Sequence, residues 1–232
     1  MTGVRPVLVL THVPAEGPGL IAPGLDAPVR VRTVLHDPEP RLPALDELAG
    51  VVVMGGPMDA DDDRGYPGLA AERRLLAEAV AAEVPVLGVC LGMQLLGLAL
   101  GARLHRRAAQ EVGFGPVDVV AQDVVLGALG SRPTVLHWHS DAVDLPPGAT
   151  LLATSDVTPV QAFRAGPALG IQFHVELEPS MLDLWLGTPA IGDLDDEQVD
   201  ELRRDGATHL PTLVPAARKL VAAFADQVHA RG

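Results

Sequence analysis

Between Val4 and Leu100 the chain alternates short apolar runs with stretches of helical periodicity, and this alternation narrows the fold more than any other feature. The runs VRPVLVL (4–10), VRVRTVL (29–35), GVVVMGG (50–56) and PVLGVC (85–90) are rich in β-branched residues, whereas YPGLAAERRLLAEAVAAE (66–83) and LGMQLLGLAL (91–100) read as helices. Strands alternating with helices predict a mainly parallel sheet sandwiched between helices. From about Phe114 the runs shorten to hairpin-like spacing in GPVDVVA, PTVLHW, GATLLATS, VQAFRAG and ALGIQFH, which predicts an antiparallel addition. Beyond EPSMLDLWLG (178–187), the segments DLDDEQVDELRRDG (193–206) and PTLVPAARKLVAAFADQVHARG (211–232) each have helical periodicity and a stop signal, so two outer helices are expected there.

A chain of 232 residues suits one ordinary domain, and no linker or internal repeat marks a boundary. A single domain over 1–232 is therefore expected, with residues 188–232 as a C-terminal helical extension. Hydrophobic residues make up 48% of the chain, but glycine and proline break them into runs shorter than the roughly 18 residues of a membrane span. The start, MTGVRPVLVLTHVP, lacks a charged leader, so the expected location is cytoplasmic, with no membrane partner. A formal charge of −13 repels phosphate backbones and anionic lipid, which argues against a nucleic-acid partner.

The only cysteine, Cys90, has no partner for an internal disulfide and is expected to be a free thiol. It lies in Gly88-Val89-Cys90-Leu91-Gly92, after a strand and before a helix, where small neighbours allow the crowded turn of a nucleophile elbow. A thiol at the first turn of a helix sits in the field of unpaired N–H groups, and the amide of Leu91 would face an oxyanion formed beside it. A lone intracellular cysteine more often packs as a small hydrophobe, so the pattern needs a base, an orienting group and a second oxyanion donor. Of the eight histidines, His174 stands out because QFHVE reads as a buried strand end on which His174 and Glu176, two apart, point to one side. The second donor can come from Met54-Gly55-Gly56-Pro57, where glycine lets backbone N–H groups approach a ligand.

With GGP, GVCLGMQ and QFHVE in this order, the chain resembles class I (triad-type) glutamine amidotransferases, most closely the stand-alone relatives of the glutaminase domain of GMP synthase. The resemblance covers roughly residues 45 to 187. It implies a three-layer α/β/α fold that hydrolyses the γ-amide of glutamine through a γ-glutamyl thioester and releases ammonia, without a cofactor. Position by position, it implies Cys90 as nucleophile, His174 as base and acid, and Glu176 as the third member. Gly56 and Leu91 would form the oxyanion hole, and Gln94 would help to hold the substrate. His139, Ser140 and Asp141 in LHWHSDAV match a stretch whose backbone meets the substrate's amino acid end. One departure is Val175, where the commoner pattern has proline; its side chain is expected to point away from the site.

His137 and His139 alternate along a run and could suggest a metal pair, but no third ligand follows at a suitable spacing, so no metal is expected. No ATP-binding synthetase pattern and no P-loop occurs in the sequence, so the ammonia is expected to serve a separate synthetase. A self-sufficient γ-glutamyl hydrolase acting on γ-glutamyl amines or peptides needs the same triad and differs in its leaving-group pocket. The acidic loop Asp59-Ala60-Asp61-Asp62-Asp63 could receive a cationic leaving group, although a solvated loop is the simpler account. An α/β-hydrolase would place its acid before the histidine, and a non-catalytic module would not need all three triad residues.

Overall fold

The computed structural model describes residues 4–108, 110–188 and 194–231. In chain order the elements are β1 (Val7–Leu10), α1 (Ile21–Gly24), β2 (Val29–Arg32), β3 (Gly50–Val53), α2 (Gly68–Ala81), β4 (Val86–Val89) and α3 (Leu91–Ala99). There follow β5 (Leu104–His105), β6 (Glu111–Pro116), β7 (Asp118–Val119), β8 (Thr134–His139), β9 (Ala142–Val143), β10 (Thr150–Thr154), β11 (Ala162–Ala165) and β12 (Ala168–Ile171). Two helices, α4 (Pro179–Leu186) and α5 (Asp196–Arg231), complete the described chain. Among the described residues, no helix is long and apolar enough to cross a membrane.

The central sheet runs in the order β2-β1-β3-β4-β12-β11-β10-β7. Strands β2, β1, β3, β4 and β12 pair in parallel, while β11, β10 and β7 join antiparallel, so the sheet is mostly parallel with an antiparallel flank, as the alternation of runs predicts. Its central strands are apolar at every position because both faces are covered, and successive side chains divide strictly between them. Val7, Val9, Val52, Leu87 and Val89 enter the core beneath α5, whereas Leu8, Leu10, Val51, Val53 and Val86 enter the core beneath α2 and α3. Edge strand β2 carries Arg30 and Arg32 in exposed positions, which discourages further pairing.

The two helices expected at 193–206 and 211–232 are one continuous helix, α5; Asp193 and Gly232 lie outside the described residues. Gly206, read as a stop, is instead a crossing point, since a Cβ there would overlap Leu182 of α4. Pro211 and Pro215 stand four residues apart on the exposed side, so the carbonyls of Ala207 and Pro211 that lose an intrahelical donor can turn to water. Leu202, Leu210, Leu213, Ala217, Leu220, Phe224 and Val228 bury the other side, and this continuous apolar stripe holds the helix together across both prolines. The segment is thus one outer layer whose inner face supplies a large share of the core.

Candidate active site

The parallel strands β1, β3, β4 and β12 end on the same edge of the sheet, the edge at which open α/β sheets carry their sites. Cys90 follows β4 directly and takes φ 54° and ψ −111°, a conformation that a non-glycine residue adopts only under constraint. Two features impose it. The Cys90 N–H donates to the Ile171 carbonyl at 2.8 Å, which extends the β4–β12 ladder by one bond. The helix then starts at once, packed so closely on β3 that a Cβ on Gly92 would overlap the Val53 carbonyl. The thiol consequently stands at the N-terminus of α3, where the Leu91 N–H has no intrahelical acceptor.

His174 and Glu176 lie just past β12. His174 Nδ1 and Glu176 Oε1 are 2.7 Å apart, and Glu176 Oε2 accepts the Val175 N–H at 2.9 Å, so the carboxylate is held at both oxygens. The His174 N–H donates to the Leu136 carbonyl of β8, and its ring meets the edge of Trp185 at 4.8 Å. Burial draws the His174 pKa down, but the charge of Glu176, hydrogen-bonded to the ring, and that of Cys90 beside it carry it well above the ordinary imidazole range. A thiolate on Cys90 would therefore face an imidazolium. Val175 packs in the core, as expected of a side chain pointing away from the site.

Cys90 lines a cleft of about 310 Å³ together with Gly56, Met58, Gln94, Trp138 and Ser140. Met54-Gly55-Gly56-Pro57 leaves β3 beside it: a Cβ on Gly55 would lie 3.4 Å from His174 Cε1 and 3.6 Å from Cys90 Cβ. Gln94 reaches the Asp141 carbonyl at 3.4 Å and Gln172 Oε1 at 3.3 Å. His139 and Asp141 also line the cleft, yet their side chains are committed to the scaffold: His139 Nδ1 donates to the Asp141 carbonyl, and Asp141 Oδ1 accepts the Arg107 N–H. A wider concavity of about 770 Å³ lies around Val119–Ser131, but its only ionisable side chain, Asp123, is paired with Arg164. The chemistry of the cleft at Cys90 suits nucleophilic attack on an acyl carbon with proton transfer by the adjacent imidazole.

One expectation needs correction. A third ligand-type side chain does accompany His137 and His139, because Glu111 of β6 pairs across the ribbon with His139, and their ligand atoms lie within 4.8 Å of one another. Spacing along one strand could not reveal a partner on the next. Glu111 is already engaged, however, with Oε1 accepting from Ser155 and Oε2 from Thr158 and Gln161, while His139 Nε2 faces Oε2 at 3.2 Å. His139 Nε2 therefore lies against a carboxylate whose two oxygens already accept from hydroxyl and amide donors. Three of the four carboxylates of the acidic loop are paired: Arg106 holds Asp59 and Asp61, and Arg73 holds Asp63 and the Ala60 carbonyl.

Sequence reasoning did not identify His12, Glu16, Glu72, Glu111 or Trp185 as part of this neighbourhood. His12 follows β1 at the active edge, and Glu72 interrupts the apolar helical stripe Leu69, Leu76, Ala79; a charge in such a stripe is the signal that was available. Trp185 is buried against His174 and donates to the Ala15 carbonyl at 2.8 Å, so it belongs to the site's wall.

A model of the family "Glutamine amidotransferase class-I" matches residues 24–184. The chain is 37% identical over 141 residues to the glutamine amidotransferase-like protein YfeJ of Salmonella typhimurium, covering 58% of this chain and 59% of that one. It is 32% identical over 153 residues to a glutamine-hydrolysing GMP synthase subunit of Sulfolobus acidocaldarius, covering 64% of this chain and 78% of the relative. A solved glutamine amidotransferase from Methylobacillus flagellatus superposes with a TM-score of 0.85 at 28% identity, covering 97% of this chain and 96% of its own.

Proposed function

Given that the chain belongs to the class I glutamine amidotransferase family, we propose that it hydrolyses the γ-amide of glutamine with Cys90 as nucleophile and releases ammonia for a separate synthetase. The thiolate adds to the γ-carbonyl carbon, and the oxygen that gains the electron pair sits against the N–H groups of Gly56 and Leu91. His174 gives its proton to the departing nitrogen as the C–N bond breaks, leaving a γ-glutamyl thioester and ammonia. A water then attacks the thioester while His174 takes its proton. Glutamate departs and the thiolate–imidazolium pair is restored, so glutamine and water become glutamate and ammonia. Glu176 fixes the imidazole tautomer and supports its positive charge throughout.

The observation that carries this reading is the juxtaposition of Cys90, held at positive φ on a helix N-terminus, with the buried His174–Glu176 couple. The glutamine hydrolysis for which the Sulfolobus relative is named supports the choice of substrate. The test is glutamate release by the purified protein from glutamine and from a panel of γ-glutamyl amines and peptides, with Cys90→Ala as the blank. Release from glutamine that vanishes in Cys90→Ala is expected. Faster release from a γ-glutamyl conjugate than from glutamine would replace the amidotransferase by an independent hydrolase, and activity that survives Cys90→Ala would remove the nucleophile.

A further inference from the structure

His12 is buried beside the site, and both of its ring nitrogens are engaged outside the triad. Nδ1 lies 2.8 Å from the Gly55 carbonyl, and Nε2 lies 3.1 Å from Oε2 of Glu72 on α2. A carbonyl oxygen can only accept, so Nδ1 carries a hydrogen. Facing an ionised Glu72, Nε2 carries one too and the ring is an imidazolium; with that proton on Glu72 the ring is neutral and Nδ1 still donates to Gly55. Burial opposes that charge, but the hydrogen bond and charge of Glu72, the Gly55 carbonyl and the nearby carboxylate of Glu16 outweigh it and raise the His12 pKa.

A buried ion pair is a poor device for stability, and this one leaves Glu72 Oε1 without a hydrogen-bond partner. Its geometry has another consequence. A trans peptide is planar, with its C=O and N–H on opposite sides, so a donor that fixes the Gly55 carbonyl also fixes the direction of the Gly56 N–H. Gly56 lines the cleft with Cys90, and among the described residues its N–H meets no backbone acceptor. The backbone at Gly56 is also pressed onto His12: a Cβ there would come within 2.9 Å of His12 Cβ and of Leu91 Cδ2.

We infer that His12, backed by Glu72, is a positioning residue that holds the Gly55–Gly56 peptide with its N–H turned toward the oxygen of an adduct on Cys90. In its imidazolium form the ring does this with more force than in its neutral form, because a charged donor also polarises the peptide it binds and strengthens the opposite N–H as a donor. The inference rests on the proposed function for its catalytic meaning, while the orientation of the peptide can be measured without turnover.

The test compares His12→Leu/Glu72→Leu, which removes donor and counter-charge together, with His12→Asn/Glu72→Gln, whose Asn amide can place an N–H where Nδ1 stood. Circular dichroism establishes folding, and residual dipolar couplings give the direction of the Gly56 N–H. Expected is an unchanged direction in the Asn/Gln variant and a rotated or broadened Gly56 signal in the Leu/Leu variant. With glutamine, kcat of the Leu/Leu variant should fall about 10²–10³-fold, the size of losing one oxyanion donor, with KM nearly unchanged, and the Asn/Gln variant should recover most of it. Should the Leu/Leu protein not fold, His12→Gln/Glu72→Gln replaces it, since the longer amide puts its donor at the Nε2 position and cannot reach Gly55. A folded donor-deleted variant with a wild-type Gly56 direction overturns the inference. A Gly56 N–H that moves in a protein whose wild type hydrolyses no γ-glutamyl amide leaves the positioning role standing and refutes the proposed function instead.

Discussion

At the scale of single residues, the candidate site is a set of hydrogen bonds whose directions leave little freedom. Glu176 serves His174 with one oxygen and the Val175 N–H with the other, so Glu176→Gln keeps the shape while removing the charge. That charge is the largest of the influences that hold the His174 pKa high against burial, with Cys90 adding to it. Its removal lowers the pKa, so the imidazolium should be lost at a lower pH as pH rises; NMR titration of the His174 ring in both proteins measures the displacement. Turnover of glutamine should fall less in Glu176→Gln than in His174→Ala, because orientation is a partial contribution and proton transfer is required. Equal losses would contradict the division of roles. Gly56→Ala is expected to abolish turnover, since its methyl would press on His12 and Leu91 at 2.9 Å and displace the peptide between them. A crystal structure of that variant would show the loop shifted away from β1.

At the scale of elements, the sheet and its active edge were legible because strand and helix periods differ, and because the elbow needs small residues at fixed offsets around Cys90. Cys90 was legible for the same reason, standing where β4 ends, whereas β12 stops at Ile171, so His174 and Glu176 share a side through the bridge of His174 to Leu136 and their own hydrogen bond and not through strand periodicity. Glu111 and Glu72 were not legible, because each acts through a partner on another element, and sequence separation carries no trace of a cross-strand or helix-to-loop contact. Helix α5 was misread at Gly206 and Pro211, where local stop signals yield to an apolar stripe that continues on both sides. That stripe makes α5 indispensable in a way its position near the C-terminus does not suggest. Phe224→Ala should cost about 3–5 kcal/mol of stability in urea denaturation, the usual range for deleting a fully buried aromatic ring. A chain ended at Thr188 should fail to fold, because Val7, Val9 and Val52 would lose the layer that covers them.

At the scale of the whole molecule, charge is managed unevenly: the formal balance is −13, yet several of the acids are tied into local networks. Glu111 is one whose tie can be read by titration. Burial would raise its pKa, but hydrogen bonds from His139, Thr158 and Ser155 lower it to about 2. An unfolded glutamate titrates near ~4.3, so the stabilisation is complete above that pH and is lost as pH falls toward the folded value. The stability difference between wild type and Glu111→Gln should accordingly be large at pH 7 and shrink steadily below about pH 4.3; urea midpoints across that range measure it. A different consequence follows from the single ladder joining β4 to β12, in which Val89 faces Ile171 and the Cys90 N–H continues the pairing. Cys90 and His174 are far apart in sequence and meet only when those two strands are aligned to the residue, since a slip of one place displaces the segment that leads from Ile171 to the imidazole relative to the thiol. The reactivity of the thiol is therefore a gauge of strand alignment. During refolding it should arrive in one step with the last of the sheet, with no partly assembled species that is partly reactive.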